Sequence, residues 1–211
     1  HPAAWRLALF ISFEGIDGSG KTTLSNRVAK ALRARGHPVR HAREGGQFSS
    51  PIVGAIRALT RDVRNIALGP ESELLLYLAR ESQLIDEVVR PALAAGDHVI
   101  VDRSLFSHLV MACDGRGVGE DFARPIVTAV ARGLWPDLVI CVDVDPDVAV
   151  LRKRCAKIRE HRTKDPPSRK GLAGVSLRTR MREGFLRLAA ADPARWFVVD
   201  NTTAPIEEIE R

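Results

Sequence analysis

The segment Gly15 to Thr22, GIDGSGKT, constrains the fold more than any other part of this sequence. It matches the pattern GxxxxGK[ST], lies directly after the apolar run LALFISF, and is followed by an amphipathic helical pattern. Glycines let the backbone turn its N–H groups inward, and the N-terminus of the helix adds positive potential. We therefore expect this loop to bind a nucleoside triphosphate, with Lys21 on the β- and γ-phosphates and Thr22 on Mg²⁺.

The rest of the chain alternates strand-length apolar segments with helical patterns. We predict strands near residues 7–13, 38–43, 98–102, 138–143 and 196–199, and one long helix that ends at Gly96. Strands that are apolar on both faces and interleaved with helices indicate an α/β fold, a three-layer sandwich with a five-stranded parallel sheet. The chain has 211 residues, of which 45% are hydrophobic, so we expect a single domain spanning residues 1–211. Ligands of such sheets collect at the carboxyl ends of the strands.

Composition narrows the possible locations of the protein. No apolar run approaches the roughly 20 residues that a membrane helix needs. Cys113, Cys141 and Cys155 have no metal-like spacing, and an odd number of cysteines argues against a secreted disulfide framework. We therefore expect a cytoplasmic protein without a membrane partner.

The positive charge is concentrated in one segment. The formal net charge is +6, and Arg152 to Lys170 alone contains nine Lys and Arg residues against Glu160 and Asp165, so the remainder is close to neutral. A nucleic-acid-binding protein usually spreads its positive charge over a broad surface. We therefore expect a small-molecule partner rather than a nucleic acid.

A second charged motif follows the third predicted strand. Asp102 and Arg103 close the segment HVIVDR, so both side chains should emerge at the sheet edge that holds the loop. The carboxylate can bind Mg²⁺ through water, and the guanidinium can bridge two phosphates. Arg57, on a later helix, could reach an anionic acceptor. The glycine loop alone names no reaction, although the absence of an [NT]KxD motif argues against a GTPase.

Nearly the whole chain resembles the thymidylate kinase family of nucleoside monophosphate kinases. The resemblance runs in order through FEGIDGSGKTT, REGG, IRAL, ESELLLYLARESQLIDEVVRPALAAGDHVIVDRS, DLVICVDVDPDVAVLRKR and DPARWFVVDNTTAPIEEI. It implies a P-loop kinase with strand order 2-3-1-4-5, ATP as donor with Mg²⁺, a phosphorylated small molecule as acceptor, and a homodimer.

The resemblance also implies roles for individual residues. Asp17, Arg57 and Arg103 hold the acceptor phosphate, Tyr77 stacks on the acceptor base, and Thr22 and Asp102 serve the metal. The donor nucleotide is held by the loop and by two later positions: Gly15, Asp17, Gly18, Ser19, Gly20, Lys21, Thr22, Thr23, Arg152 and Asn201. The acceptor is further lined by Glu44, Arg80, Glu81, Ser107 and Met111.

The basic stretch takes the place of the family's lid, at about residues 152–172. Some members carry an arginine in the loop where this chain has Gly18, which implies that the cation of the transition state comes from the lid. Four arginines are candidates, and their spacing does not choose between them: Arg152, Arg154, Arg159 and Arg162. Of these, Arg152, Arg159 and Arg162 form the predicted catalytic set together with Lys21, Asp17 and Arg103.

The acceptor pocket departs from the family pattern. Glu81 stands where the family has its base-reading arginine, with Arg80 beside it. The pattern DRYxxSxxAYQ reads DRSLFSHLVMA, so Met111 and Ala112 replace its second tyrosine and its glutamine, and the proline of REPGG is missing. A carboxylate repels a carbonyl oxygen and accepts from an amino group. We therefore predict an acceptor that is an amino-bearing or modified nucleotide, or another small phosphorylated molecule.

Two alternatives remain open at this point. DRSLFS also resembles the ERSxxS signature of deoxyribonucleoside kinases, whose hydroxyl acceptor needs a base, and Glu44 stands where that carboxylate would be. The chain could instead be a catalytically idle module that binds a nucleotide, or a nucleic acid through the basic segment. ADP release that depends on an added acceptor separates an enzyme from such a module.

Overall fold

The computed structural model describes residues 8–43, 50–161 and 174–203. Its sheet contains five strands, which are β1 (Phe10–Glu14), β2 (Val39–Arg43), β3 (His98–Asp102), β4 (Leu138–Asp143) and β5 (Trp196–Asp200). Every neighbouring pair is parallel, and the order is β2-β3-β1-β4-β5. The predicted fold class and strand order are confirmed, and β1 begins later than the sequence indicated.

Helices cover both faces of this sheet. Within the described residues they are α1 (Lys21–Ala34), α2 (Pro51–Arg61), α3 (Pro70–Leu84), α4 (Arg90–Ala94), α5 (Leu105–Val110), α6 (Glu120–Ala131), α7 (Pro146–Arg159) and α8 (Gly174–Ala191). Successive side chains of a strand point to opposite faces. Val99 and Val101 accordingly pack in the core under α3 to α6, whereas Ile100 packs with Leu24 and Ala29 of α1. None of the described helices is both long and apolar enough to traverse a bilayer.

The segment predicted as one long helix is interrupted. A π-helical turn, Ile85–Val89, separates α3 from α4, and the helix ends at Ala94 rather than at Gly96. Pro91 has no N–H to continue the α-helical hydrogen bonds, so the chain widens by one residue before it. The widened turn keeps Ile85 and Val89 fully buried.

The strand register brings the two charged motifs of the sequence to one edge. Phe13 in β1 pairs with Asp102 in β3, so the loop after β1 and the Asp102-Arg103 pair leave the sheet side by side. Arg103 N donates a hydrogen bond to Phe13 O at 3.0 Å, which ties the two chain segments together. The candidate site is therefore located at the carboxyl ends of the central strands, as expected for a parallel sheet.

Candidate functional site

The glycine loop is closed by close contacts that leave no room for side chains. Gly20 has φ +95°, and a Cβ there would lie 2.6 Å from Asn201 Nδ2. The same amide of Asn201, which is buried, donates a hydrogen bond to Ser19 O at 2.7 Å. Glycine is the residue that adopts such a φ without strain. Asn201, predicted on the nucleotide, thus also supports the loop from β5.

Lys21 begins α1 and is buried beneath the loop. Its Nζ donates a hydrogen bond to Ile16 O at 2.7 Å and lies 3.5 Å from Ser19 Oγ. Burial, and next the neighbouring positive charge of Arg103, lower the pKa of Lys21 to about 8, although nearby carboxylates oppose this. A polyphosphate would give this dehydrated ammonium the negative partner that its surroundings supply only in part.

This lowered pKa predicts an alkaline limit on ATP capture. Lys21 is charged below its pKa of about 8 and neutral above it, so kcat/KM for ATP should fall about tenfold per pH unit beyond that value. The measurement is kcat/KM for ATP between pH 7.5 and 10 at saturating acceptor. The Lys21→Arg variant keeps its positive charge at high pH, so its residual kcat/KM for ATP should not show this alkaline decline. A wild-type profile that is flat to pH 10 contradicts the assignment.

The predicted metal ligands meet each other. Thr22 Oγ1 donates a hydrogen bond to Asp102 Oδ2 at 2.5 Å, and Arg43 Nε lies 3.5 Å from the same oxygen. A hydroxyl and a carboxylate are hard oxygen donors, which suit Mg²⁺. The described residues contain no cluster of three or more His, Cys, Asp or Glu side chains that could hold a metal. Thr23 is exposed at the start of α1.

Arg103 is held over the loop in a strained backbone conformation. Its φ is +81°, which is uncommon for a residue with a side chain. Its Nη1 donates to Gly15 O and to Ser107 Oγ, both at 3.0 Å, and its Nη2 donates to a carboxylate oxygen of Asp17. Such strain persists only where surrounding contacts hold it, and it clusters at functional sites. Asp17, Arg103 and Ser107, all predicted for the site, are therefore brought together.

A buried carboxylate supports this arrangement. Glu14 accepts hydrogen bonds from Ser104 N and Ser104 Oγ, both at 2.8 Å, from Ser12 Oγ at 2.6 Å, and from Ser107 Oγ. Burial raises the pKa of Glu14 above its usual value, while the serine hydrogen bonds and the charge of Arg103 oppose the shift. Glu14 fixes the turn after β3, and through Ser107 it orients Arg103. The sequence analysis assigned no role to it.

The predicted acceptor pocket contains a buried polar cluster. Tyr77 donates its hydroxyl to Glu73 Oε1 at 3.1 Å, and its ring stacks on His108 with centroids 5.6 Å apart. His108 Nε2 lies 3.2 Å from Glu81 Oε2, and both side chains are buried. Glu73, Tyr77 and His108 line a small recess, to which Met111 and Arg116 also contribute, whereas Glu81 is not part of its lining.

Arg80 and Glu81, which are neighbours on α3, contact different side chains. Arg80 is buried, and its Cζ lies 5.9 Å from the centroid of the Tyr77 ring. Glu81, one helical turn after Tyr77, faces His108 instead. The structure thus places a carboxylate and an imidazole together where the family pattern has a guanidinium.

The predicted lid arginines divide between two surroundings. Arg152 Nη2 donates to Thr202 O at 3.4 Å, which places it beside the loop that begins with Asn201. Arg154 and Arg159 are exposed on α7, so this part of the predicted lid is helical. Arg57 is half-buried on α2. Glu44 and Arg162 lie outside the described residues.

Three residues at the site escaped the sequence analysis. Glu14 lies inside the segment FEG, yet its serine partners are about ninety residues away along the chain. His108 and Lys153 carry no motif of their own. In the sequence, only their position close to residues of a motif could have suggested that they lie at the site. Such a position does not show to which side of a helix a side chain points.

Comparison with known proteins agrees with this geometry. A family model described as thymidylate kinase matches residues 13–211. The thymidylate kinase of Oleidesulfovibrio alaskensis is 37% identical over 203 residues, covering 96% of this chain and 94% of its own. That of Geobacter sulfurreducens is 40% identical over 194 residues, covering 92% and 89% respectively.

A solved structure shows the same similarity. The crystal structure of thymidylate kinase from Ehrlichia chaffeensis matches with a TM-score of 0.72 at 25% identity, covering 96% of this chain and 94% of that one. The resemblance on which the sequence analysis relied is thereby confirmed.

Proposed function

The chain belongs to the thymidylate kinase family, and we propose that it transfers the γ-phosphoryl group of ATP to the phosphate of a nucleoside monophosphate, dTMP or a related pyrimidine nucleotide. One observation carries the proposal. The buried ammonium of Lys21, the Thr22–Asp102 pair and the guanidinium of Arg103 converge on one glycine loop. Dependence of ADP release on an added monophosphate, measured by a coupled assay, tests it.

Each group has a distinct part in this reaction. The loop N–H groups and Lys21 hold the β- and γ-phosphates, and Thr22 and Asp102 hold Mg²⁺. When bound, the metal neutralises charge on the phosphate oxygens. Arg103, fixed by Gly15 O and Ser107, presents its remaining N–H surface to the acceptor phosphate. These residues therefore supply positioning and positive charge.

The chemistry requires no general base. An oxygen of the acceptor phosphate is already ionised at neutral pH. It forms a bond to the γ-phosphorus, while the bond from that phosphorus to the β–γ bridging oxygen breaks and ADP keeps the electron pair. The products are ADP and a nucleoside diphosphate.

For the acceptor base, we propose recognition by the Glu81–His108 pair. Glu81 accepts hydrogen bonds and has none to offer when ionised, so it favours a base that carries an amino group over one that presents a carbonyl oxygen. Against this stand the relatives at 37–40% identity, which are named for thymidylate. Steady-state turnover of dTMP, dCMP, dUMP and dGMP decides between them, and a clear preference for dTMP refutes altered recognition.

Replacing the carboxylate of Glu81 should change the preference between dTMP and dCMP as acceptors. Glu81→Arg is expected to raise the ratio of kcat/KM for dTMP over dCMP by about tenfold or more, because a guanidinium donates to a carbonyl and repels an amino group. Glu81→Gln, which keeps the shape and loses the charge, should give an intermediate ratio. Thermal melting of each variant checks that the buried substitution is tolerated. A ratio unchanged in both folded variants contradicts base reading by Glu81.

The nucleoside kinase alternative is tested in the same assay. Its acceptor is a neutral hydroxyl and its proposed base, Glu44, lies outside the described residues. Thymidine or deoxycytidine supplied with ATP should yield no monophosphate. Formation of monophosphate at a rate comparable to that of diphosphate from dTMP would favour this alternative over the monophosphate kinase.

We also propose a cytoplasmic homodimer, as the family resemblance implies. Large apolar side chains lie exposed on two adjacent helices, namely Ile52 and Leu59 on α2 and Leu75 on α3. Covering them would remove apolar surface from water. Light scattering coupled to size-exclusion chromatography should give twice the chain mass of 23.2 kDa.

A further inference from the structure

The cation predicted to come from the lid has a specific location in the structure. We infer that Lys153, on α7, binds the γ-phosphoryl group during its transfer, with Arg178 of α8 beside it. This inference rests on the proposed function and names a residue that the sequence analysis, which considered only arginines, did not select.

Helix α7 lies directly against the glycine loop. A Cβ on Gly18 would meet Ala149 O of α7 at 2.4 Å, and Gly18 has φ +98°. A cationic side chain at position 18 would therefore require α7 to move. The positive charge over this part of the loop must come from another element.

Lys153 reaches the loop from α7. It lies one helical turn after Ala149, so the two side chains share the helix face that is turned to the loop. Its Nζ lies 3.8 Å from Asp17 Oδ2, while Arg103 holds Oδ1 of the same carboxylate. Asp17 thus lies between two cations, Arg103 at the end of β3 and Lys153 on α7. Lys153 itself is 43% exposed, so its ammonium can exchange Asp17 for a phosphate oxygen.

The surroundings of Lys153 and Asp17 carry an excess of positive charge. Arg178, Arg103 and Arg61 lie near Lys153 on three other parts of the chain. Burial lowers the pKa of Lys153, Asp17 opposes this shift, and the three positive charges lower the pKa further. Within the described part of the chain, Arg178 Nε is buried without a hydrogen-bond partner, while its Nη1 donates to Gly174 O at 2.8 Å. Several cations around one carboxylate attract a further anion, and an unsatisfied buried donor needs an acceptor.

Of the four arginines considered from the sequence, the three that the structure describes are directed elsewhere or lie farther along α7. Arg152 contacts Thr202 O, beside the loop after β5, and Arg154 and Arg159 are exposed. During transfer, the bond from the acceptor oxygen to the γ-phosphorus forms as the bond to the β–γ bridging oxygen breaks, and ADP keeps the electron pair. Lys153 neutralises the equatorial oxygens and exchanges no proton.

The test compares kcat with nucleotide affinity. Lys153→Met should lower kcat by about 100-fold with at most a threefold change in the Kd of ATP, because the contact is made mainly in the transition state. Lys153→Arg should recover at least a tenth of the wild-type rate. The control is Lys30→Met, which removes an exposed lysine of α1 and should leave kcat within twofold. Since Lys153 is part-exposed, melting temperatures of the variants should match.

Each outcome has a defined meaning. Full activity of Lys153→Met, or a large kcat loss in Arg154→Met or Arg159→Met but not in Lys153→Met, overturns the inference. A rise in the Kd of ATP equal to the fall in kcat/KM shows ground-state binding only and also overturns it. If the wild-type protein phosphorylates no nucleoside monophosphate, the proposed function is wrong. If the wild type is active and Lys153→Met has the same activity, only the role assigned to Lys153 is wrong.

Discussion

Replacing Lys21 with alanine is expected to lower kcat/KM for ATP by at least about 10³-fold, or about 4 kcal/mol of transition-state stabilisation. Lys21 is a buried cation at the loop, and its Nζ donates a hydrogen bond to Ile16 O within that loop. The guanidinium of Arg103 cannot take its place, because it donates to Gly15 O, Ser107 and Asp17. Steady-state kinetics at saturating acceptor measure the loss.

The matched control for this variant is Lys30→Ala. Lys30 lies on the same helix but is exposed, so its removal should change kcat/KM by less than twofold. Lys21→Ala removes a dehydrated charge and should not lower the melting temperature. Retention of more than a tenth of the wild-type kcat/KM in Lys21→Ala would show that the loop does not bind the transferred phosphate as described.

Replacing Arg103 is expected to have the second largest effect, acting on the acceptor. Arg103→Ala should lower kcat/KM for the nucleoside monophosphate by about 10²- to 10³-fold, since its guanidinium contacts both Gly15 O and Asp17 at the proposed acceptor site. Arg103→Lys should recover only part of this activity, because a lysine keeps the charge and loses the planar fork. Initial rates at varied acceptor concentration and saturating ATP provide the measurement.

The backbone of Arg103 allows activity and stability to be separated. At φ +81° an alanine is strained and a glycine is not. Arg103→Gly should therefore be as inactive as Arg103→Ala and yet melt at a higher temperature. Arg124→Ala, which removes an exposed arginine paired with Glu120, serves as the control and should retain activity within twofold. An Arg103→Gly variant with near-normal turnover would contradict the role given to the guanidinium.

The architecture was predictable because it depends on local patterns. Strands such as HVIVD are apolar on both faces, so they had to lie inside a parallel sheet, and the motif after β1 fixed which edge holds the site. The interruption at Ile85–Val89 was not predicted, since an apolar stripe continues through a π turn with only a small change of phase.

The composition of the site was only partly predictable. Lys21, Thr22, Asp102 and Arg103 belong to motifs whose chemistry is set by residue type and spacing. The Glu81–His108 contact joins side chains 27 positions apart, and the approach of Lys153 to Asp17 depends on how closely α7 packs on Gly18. Such contacts follow from helix packing, which periodicity does not determine.

The difference between Lys153 and the arginines illustrates the limit. Residue type favoured arginine as the cation for a phosphoryl group, because its fork fits phosphate oxygens. The shared face of Ala149 and Lys153 instead supports the proposal for Lys153, and this face can be recognised only once Ala149 is known to lie on the loop. The sequence therefore predicted the segment, and the proposal of a particular residue within it required the structure.

The most direct test of the account follows the transferred group itself. Protein is incubated with ATP labelled in its γ-phosphate, Mg²⁺ and a nucleoside monophosphate, and the products are separated by chromatography. The account predicts one equivalent of ADP for each nucleoside diphosphate formed, with the label in the terminal phosphate of that diphosphate. Label that is found only in inorganic phosphate, at a rate that does not depend on the acceptor, would contradict it.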